Sequence, residues 1–378
     1  MKSPLLVRVA GVAAAPAYLA VNKRPGAPLP PTVTEFLTFM LSREGQEIVV
    51  KQGRFDPLSA QQAAEERRKL DGFLAPLDPA LVPYRAAARV RGAISSVGSD
   101  GMKTLMDRWM RDFRRVQPAV RKGERWEHLG TLNGFHALMV GETDLAPMGR
   151  ELWPEERAAY EATHHQVPLL EIRVARGGFN TPQRTTAQAI FVHESNPLSR
   201  ITLSQLAAIL GRPQTITRWG QLGLMGDWVD RSVTIYMPPR VAPNAMSMQM
   251  MVLKGGAWGE AVHEDSIAET AAAIARDSGA IGFGGFEEGG PHLKALAVAA
   301  SDNGPFYEGD AANASSGRYP LTRYMYIRLN RQPGKRLSPP IKEFLRYILS
   351  RDGQEPILYS AYFPLTAQEV REELAKLD

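Results

Sequence analysis

The sequence predicts an α/β protein built as more than one lobe. From residue 93 onward, short apolar runs alternate with amphipathic helical stretches, the order that builds largely parallel sheets. With 378 residues the chain exceeds what one core usually fills. Its 44% hydrophobic and 22% charged residues can bury a sizeable core, which excludes disorder throughout.

In chain order, residues 18–55 read as a strand, a Pro/Gly turn, a helix, a second helix begun near Ser42-Arg43, and a Gln/Glu-rich tail. A charged helix over Ala60–Leu70 and a Pro-rich linker follow, and a main domain opens near Ala87. Ala93–Val97 is a short strand. Gly101–Val116 is a helix with Met102, Leu105, Met106, Trp109, Met110 and Phe113 on one face. Phe135–Val140 belongs to another helix, and Gln188–Val192 to a strand. Thr202–Leu210 is a helix opened by a Thr202–Gln205 capping box and closed by Gly211. Val233–Met237 is a strand. Ser266–Asp277 is a helix with a Ser266–Glu269 box, leading through Gly279 into the strand Ala280–Phe283.

An internal repeat adds to this pattern. Residues 18–55 match residues 326–363 without a gap, with 16 identities in 38 positions. Glu35-Phe36-Leu37 returns as Glu343-Phe344-Leu345, and Gly45-Gln46-Glu47 as Gly353-Gln354-Glu355. A unit that closes a domain therefore also stands near residue 1. Residues 1–89 are expected to form an extension resembling the end of a second domain, with an independent helical extension as the alternative.

Several functional classes are excluded. The chain has no cysteine, which removes disulfides, thiolate nucleophiles, zinc fingers and Cys-ligated clusters. No run reaches the length of a membrane span. The seven histidines lack metal spacing. No nucleophile–base motif or phosphate-binding P-loop is present. The net charge of +5 favours anionic partners, but the basic residues form no aromatic-interleaved stripe, so nucleic acid is not expected. No cofactor is implied. The opening MKSPLLVRVAGVAAAPAYLA could be an export signal, although Arg8 interrupts its apolar run.

Two stretches could bind an anion. Val97-Gly98-Ser99-Asp100-Gly101 is a polar loop entering a helix, where free N–H groups and the helix dipole favour negative charge. It could equally be a plain N-cap. In Asp144-Leu145-Ala146-Pro147-Met148-Gly149-Arg150, Arg150 could clamp an oxyanion, or the pair could close a loop by a salt bridge. The Met-rich tract Met246–Met251 reads as a helix face filling a core.

Together these segments resemble the phosphate-binding proteins of ABC-type importers. The resemblance runs in order through Val97–Met102, Gly141–Arg150, Phe191–Pro197, Ile201–Leu210, Ile216–Trp228, Val252–Gly256, Gly279–Phe286 and Ser316–Tyr324, and ends in Glu343–Glu355. It implies a two-lobed periplasmic-binding-protein (type II) fold with a crossover hinge. The binding domain would span 90–378, with lobe 1 at about 90–190 and 320–378 and lobe 2 at about 193–318. It also implies an exported, periplasmic or extracellular protein. Its partners would be phosphate or another small oxyanion, held between the lobes, and an ABC permease. The resemblance places Ser99, Asp100, Gly101, Thr131, Asp144, Arg150, Arg240 and Asn244 at ligand positions. Asp144 and Arg150 would grip the anion together, the carboxylate accepting from a protonated phosphate.

The departures from the family pattern are specific. Gly101 stands where a Thr is usual, and Gly149 where a Ser precedes the Arg. Thr131-Leu132-Asn133-Gly134 replaces Ser-Gly-Thr-Gly, and Ala242-Pro243-Asn244 replaces Ser-Gly-Thr. Four lost donors to a charged ligand would cost about 6–12 kcal/mol. The expectation is an oxyanion-binding receptor. The alternative is a structural or partner-binding module that keeps the fold without the site. A hydrolase has no residues to stand on.

Overall fold

The computed structural model describes residues 3–12, 15–23, 29–70, 77–179, 184–260, 262–330 and 336–377. The chain opens on two antiparallel strands, β1 (Ser3–Val12) and β2 (Ala15–Lys23). Three helices follow, α1 (Pro31–Met40), α2 (Arg43–Gln52) and α3 (Ala60–Leu70). Next come β3 (Gly92–Gly98), α4 (Lys103–Val116), β4 (Val120–His128), α5 (Thr131–Met139), β5 (Ala146–Met148), α6 (Pro154–Thr163) and β6 (Leu170–Arg176). The middle of the chain carries β7 (Gln188–His193), β8 (Arg200–Thr202), α7 (Leu203–Leu210), β9 (Thr234–Met237), α8 (Pro243–Met251), β10 (His263–Glu264) and α9 (Ile267–Arg276). It continues with β11 (Ala280–Gly285), β12 (Leu293–Ala295), β13 (Ala297–Ala299) and α10 (Ala311–Ser315). The chain closes with β14 (Tyr324–Leu329), α11 (Pro339–Ile348), α12 (Arg351–Gln354) and α13 (Ala367–Ala375).

These elements form two compact units. The first contains residues 1–74, 179–182 and 186–322; the second contains 75–178, 183–185 and 323–378. Residues 77–89 thus fall in the second unit and not in the extension. Leu81 is buried in that unit's core, and the Tyr84 hydroxyl donates to Glu343 at 2.7 Å.

In the second unit, β3 pairs in parallel with β4, and β14 lies between β5 and β6, antiparallel to both. The core is the apolar face of α4. Trp109, Met110 and Phe113 are fully buried against Phe344, Leu345 and Ile348 of α11. The 3.6-residue spacing of that face in the sequence is what puts these side chains on one side of the helix.

The first unit holds a five-stranded sheet, β10-β9-β11-β7-β12. Its β9, β10 and β11 run parallel, while β7 is antiparallel to β11 and β12. The sheets are therefore mixed and not largely parallel. β7 and β14 each follow a crossing of the chain between units, and each enters its sheet against the direction of neighbours laid down by other segments.

Both expected capping boxes form. Thr202 accepts from the Gln205 N–H, and Ser266 from the Glu269 N–H. Met246 and Met248 of α8 are buried, as a core-filling face requires. Near the start of the sequence, β1 and β2 pair with each other, and Val7 and Arg8 are buried. Among the described residues, no helix is long and apolar enough to cross a membrane.

Candidate functional site

The ends of β3 and β5 set the frame of a site in the second unit. The Val97 N–H donates to Leu145 O at 3.0 Å and the Ser99 N–H to Pro147 O at 2.8 Å, so the two strands end together. The Gly130 N–H donates to Gly98 O at 2.9 Å, which brings in the start of α5. This approach requires glycine: a Cβ on Gly98 would collide with Pro147, and one on Gly134 would lie 2.7 Å from Val97 O. The loops at Ser99–Gly101, Gly130-Thr131 and Gly149 converge as a result.

Ser99 is buried, yet its side chain makes no capping bond to the helical turn that begins at Asp100. The plain N-cap alternative is therefore not realised. The hydroxyl stands beside the unpaired N–H groups of a helix start, where an anion is favoured. Thr131 opens α5 and is half-buried; it too makes no capping bond. Asp100 is exposed at the first position of its turn.

The two glycines that depart from the family pattern are backfilled from elsewhere in the chain. A Cβ on Gly149 would lie 2.8 Å from the Thr185 hydroxyl oxygen and 3.7 Å from that of Ser99. A Cβ on Gly101 would lie 3.0 Å from the Tyr362 hydroxyl oxygen, 3.5 Å from Ser99 Oγ and 4.0 Å from Arg184 Nη1. Thr185 donates to Gly149 O at 2.6 Å, and Tyr362 to Gly101 O at 3.2 Å. Burial pushes the Tyr362 hydroxyl up to about 12, against the pull of Arg184 and Arg323, so it stays protonated. Arg323 is buried, and its Nε has no hydrogen-bond partner, although Nη2 reaches Glu151 at 3.3 Å.

The sequence alone does not single out Thr185, Arg184, Tyr362 or Arg323. They lie far from the loop motifs in sequence, and no local spacing pointed to them. The two glycines were the available signal, since a missing side chain leaves room that something must fill.

The structure does not bring Asp144 and Arg150 together. Asp144 precedes β5 and Arg150 follows it, so a strand's length separates them. The register of β3 slips between Ile94 and Ser96, and Asp144 Oδ2 accepts the Ser95 N–H there at 2.8 Å. Arg150 is buried in a bidentate pair with Glu156, at 2.7 and 2.6 Å, and also donates to Glu151 O. Its carboxylate partner, Glu156, belongs to α6. Arg150 thus makes a buried ion pair with Glu156 and not a surface salt bridge with Asp144.

In the first unit, Arg240 is exposed and paired with Glu264 at 2.7 Å. Asn244, in the first turn of α8, accepts from Gln188 Nε2 at 3.3 Å. Gln188 is fully buried with its Oε1 unpartnered. β11 runs into two carboxylates. Burial and the neighbouring charge of Glu287 push Glu288 up to about 8, so it is largely protonated near neutrality. Thr186 donates to Glu287 at 3.2 Å.

A buried Ser–His contact also occurs in the second unit, Ser96 Oγ to His128 Nε2 at 3.1 Å. Both residues are sealed from solvent and His128 Nδ1 has no partner, so nothing orients the ring as a base. Burial lowers the imidazole to about 4, and it is neutral at physiological pH. Among the described residues, no group of three or more His, Cys, Asp or Glu is placed to hold a metal ion.

A family model described as a PBP superfamily domain matches residues 84–352. The phosphate-binding protein PstS of Pseudomonas aeruginosa is 30% identical over 80% of this chain and 93% of its own length. Protein SphX of Synechococcus elongatus is 26% identical over 74% of this chain and 80% of its own. Among solved structures, PstS from Borrelia burgdorferi is similar with a TM-score of 0.47 at 17% identity, covering 73% of this chain and 100% of that one. An ABC-type phosphate transport receptor from Vibrio cholerae gives 0.45 at 19% identity, covering 72% and 100%. The family-model match and the PstS relative together show that this chain belongs to the PBP superfamily, within the phosphate-binding-protein family of ABC-type importers.

Proposed function

We propose that this protein is the solute-binding receptor of an ABC-type importer and that it takes phosphate, or a closely related oxyanion, at the Ser99–Gly101 loop of the second unit. Family membership supports the class of function. The observation that carries the location is the backfilling of Gly101 and Gly149 by Tyr362, Arg184 and Thr185 around the uncommitted Ser99 hydroxyl. In this reading the anion meets the helix-start N–H groups, Ser99 Oγ and Arg184. Thr185 and Tyr362 spend their protons on the two glycine carbonyls and hold the loop in shape. Asp100, exposed at the helix start, takes the part first assigned to Asp144: it accepts from a protonated phosphate and disfavours sulfate, which has no proton to give.

The reading assigns transport and no catalysis. It implies an exported protein that delivers its ligand to a membrane permease. Calorimetric titration with phosphate and with sulfate tests it. Saturable heat with phosphate and much less with sulfate is the expected result; a folded protein giving no heat at millimolar phosphate would defeat it.

A further inference from the structure

The second unit holds an open cavity of about 340 Å³ between residues 80–85, α11 and α13. Its floor is apolar: Leu81, Leu349, Val370 and Leu377 are buried, and Leu374 is half-buried. Four cations line it, Arg85, Lys342, Arg346 and Arg371, and no carboxylate among the described residues does. Three neighbouring acids are spent on its walls. Asp78 accepts the Ala80 and Ala367 N–H groups, both at 2.9 Å. Asp352 accepts the Tyr84 N–H at 2.6 Å. Glu343 accepts from the Tyr84 hydroxyl at 2.7 Å and pairs with Arg346 at 3.4 Å. These bonds tie the 80–85 segment to all three C-terminal helices, so the cavity is built into the fold.

The internal repeat separates what packing needs here from what it does not. α1 and α3 correspond to α11 and α13, and the Arg8 and Arg173 N–H groups donate to the equivalent Glu66 and Glu373, each at 3.0 Å. The apolar frame recurs and is buried both times, with Leu41 for Leu349, Ala63 for Val370 and Leu70 for Leu377. The cations do not recur: Thr34 stands for Lys342, Thr38 for Arg346 and Ala64 for Arg371. Leu374 also differs. Its counterpart Arg67 reaches back to donate to Leu41 O at 2.9 Å, whereas Leu374 leaves that place open. Packing the two helices therefore requires the apolar residues and not the charge. Cations gathered over an apolar floor fit a ligand with an apolar tail and an anionic head.

We propose that this cavity binds a single-chain anionic amphiphile, a fatty acid, with its tail on Leu81, Leu349, Val370 and Leu374 and its carboxylate among Arg85, Arg346 and Arg371. A planar carboxylate suits the guanidinium fork. The volume lies at the lower end of the range for small-molecule sites, which admits one chain and not a two-chain lipid. The cavity shares no residue with the Ser99 loop, so the proposal does not depend on the anion site.

Isothermal titration of the full chain with dodecanoate, kept below its micelle concentration, tests the proposal. Saturable one-to-one binding is expected, with dodecyltrimethylammonium, the same tail on a cationic head, at least about tenfold weaker. The variant Arg85→Gln/Arg371→Gln alters two exposed side chains and should weaken dodecanoate at least about tenfold with an unchanged melting temperature. Leu374→Arg, which restores the arrangement of the N-terminal copy, should abolish binding. Any of five results would overturn the proposal: no saturable binding; equal binding of the cationic amphiphile; binding that either variant leaves untouched; displacement of dodecanoate by phosphate, which places it at the anion site; or sedimentation with phosphatidylglycerol vesicles in place of binding to free dodecanoate, which means a membrane surface.

Discussion

The Thr185 hydroxyl donates to Gly149 O at 2.6 Å and occupies the space that a side chain on Gly149 would need. A residue some 36 positions along the chain thereby replaces a local donor. Gly149→Ser should therefore clash with Thr185, and Thr185→Gly should leave a void. Each change is expected to weaken phosphate binding by about 1–2 kcal/mol, and the double variant Gly149→Ser/Thr185→Gly should recover most of the loss. A double-mutant cycle on titration data measures the coupling; additive losses would show that the two positions do not share one space.

Ser99→Ala isolates the ligand from the fold. The hydroxyl makes no capping bond, so its removal should leave the melting temperature within a degree or so of the parent, while phosphate affinity falls about ten- to a hundredfold, the worth of one hydrogen bond to a charged ligand. Thermal melts and calorimetry on the same samples separate the two effects.

Much of the fold was legible in the sequence, because helix periodicity and capping boxes are local. The Met102–Phe113 face and the boxes at Thr202 and Ser266 need only a few adjacent residues to be read. The proposed site was legible only where it is local, at Ser99–Gly101. Asp144 and Arg150 lie six residues apart in one motif, and sequence proximity suggested a joint grip. A three-residue strand between them sends them to opposite ends of β5, and Glu156 was equally close in sequence as a partner for Arg150. Tyr362, Arg184 and Arg323 reach the proposed site through tertiary contact alone, which no window on the sequence contains.

Arg150→Met tests that reassignment. With the guanidinium gone, Glu156 is left buried and unpaired, so the variant should lose about 3–5 kcal/mol of stability. Whatever fraction stays folded should bind phosphate with parental affinity, because the side chain serves α6. Loss of affinity in folded protein, measured after correcting for active fraction, would restore Arg150 to the site.

His128 gives the second unit an acid-side weakness. Burial lowers its folded pKa to about 4, while the unfolded chain protonates near 6.5. The unfolded state therefore binds more protons between these values. Stability contributed by the neutral ring is complete above pH 6.5 and declines as pH falls toward 4, by up to about 3 kcal/mol. His128→Gln keeps a polar partner for Ser96 and should flatten that slope. Urea midpoints at pH 7 and pH 4.5 for both proteins provide the comparison.

The most direct measurement is the position of a bound anion. Crystals grown with arsenate, a phosphate mimic with a usable anomalous signal, should show one peak within hydrogen-bond reach of Ser99 Oγ and the Gly101 loop, on the side of Arg184. A peak beside the Arg150–Glu156 pair, or none near Ser99 at saturating arsenate, would contradict the account.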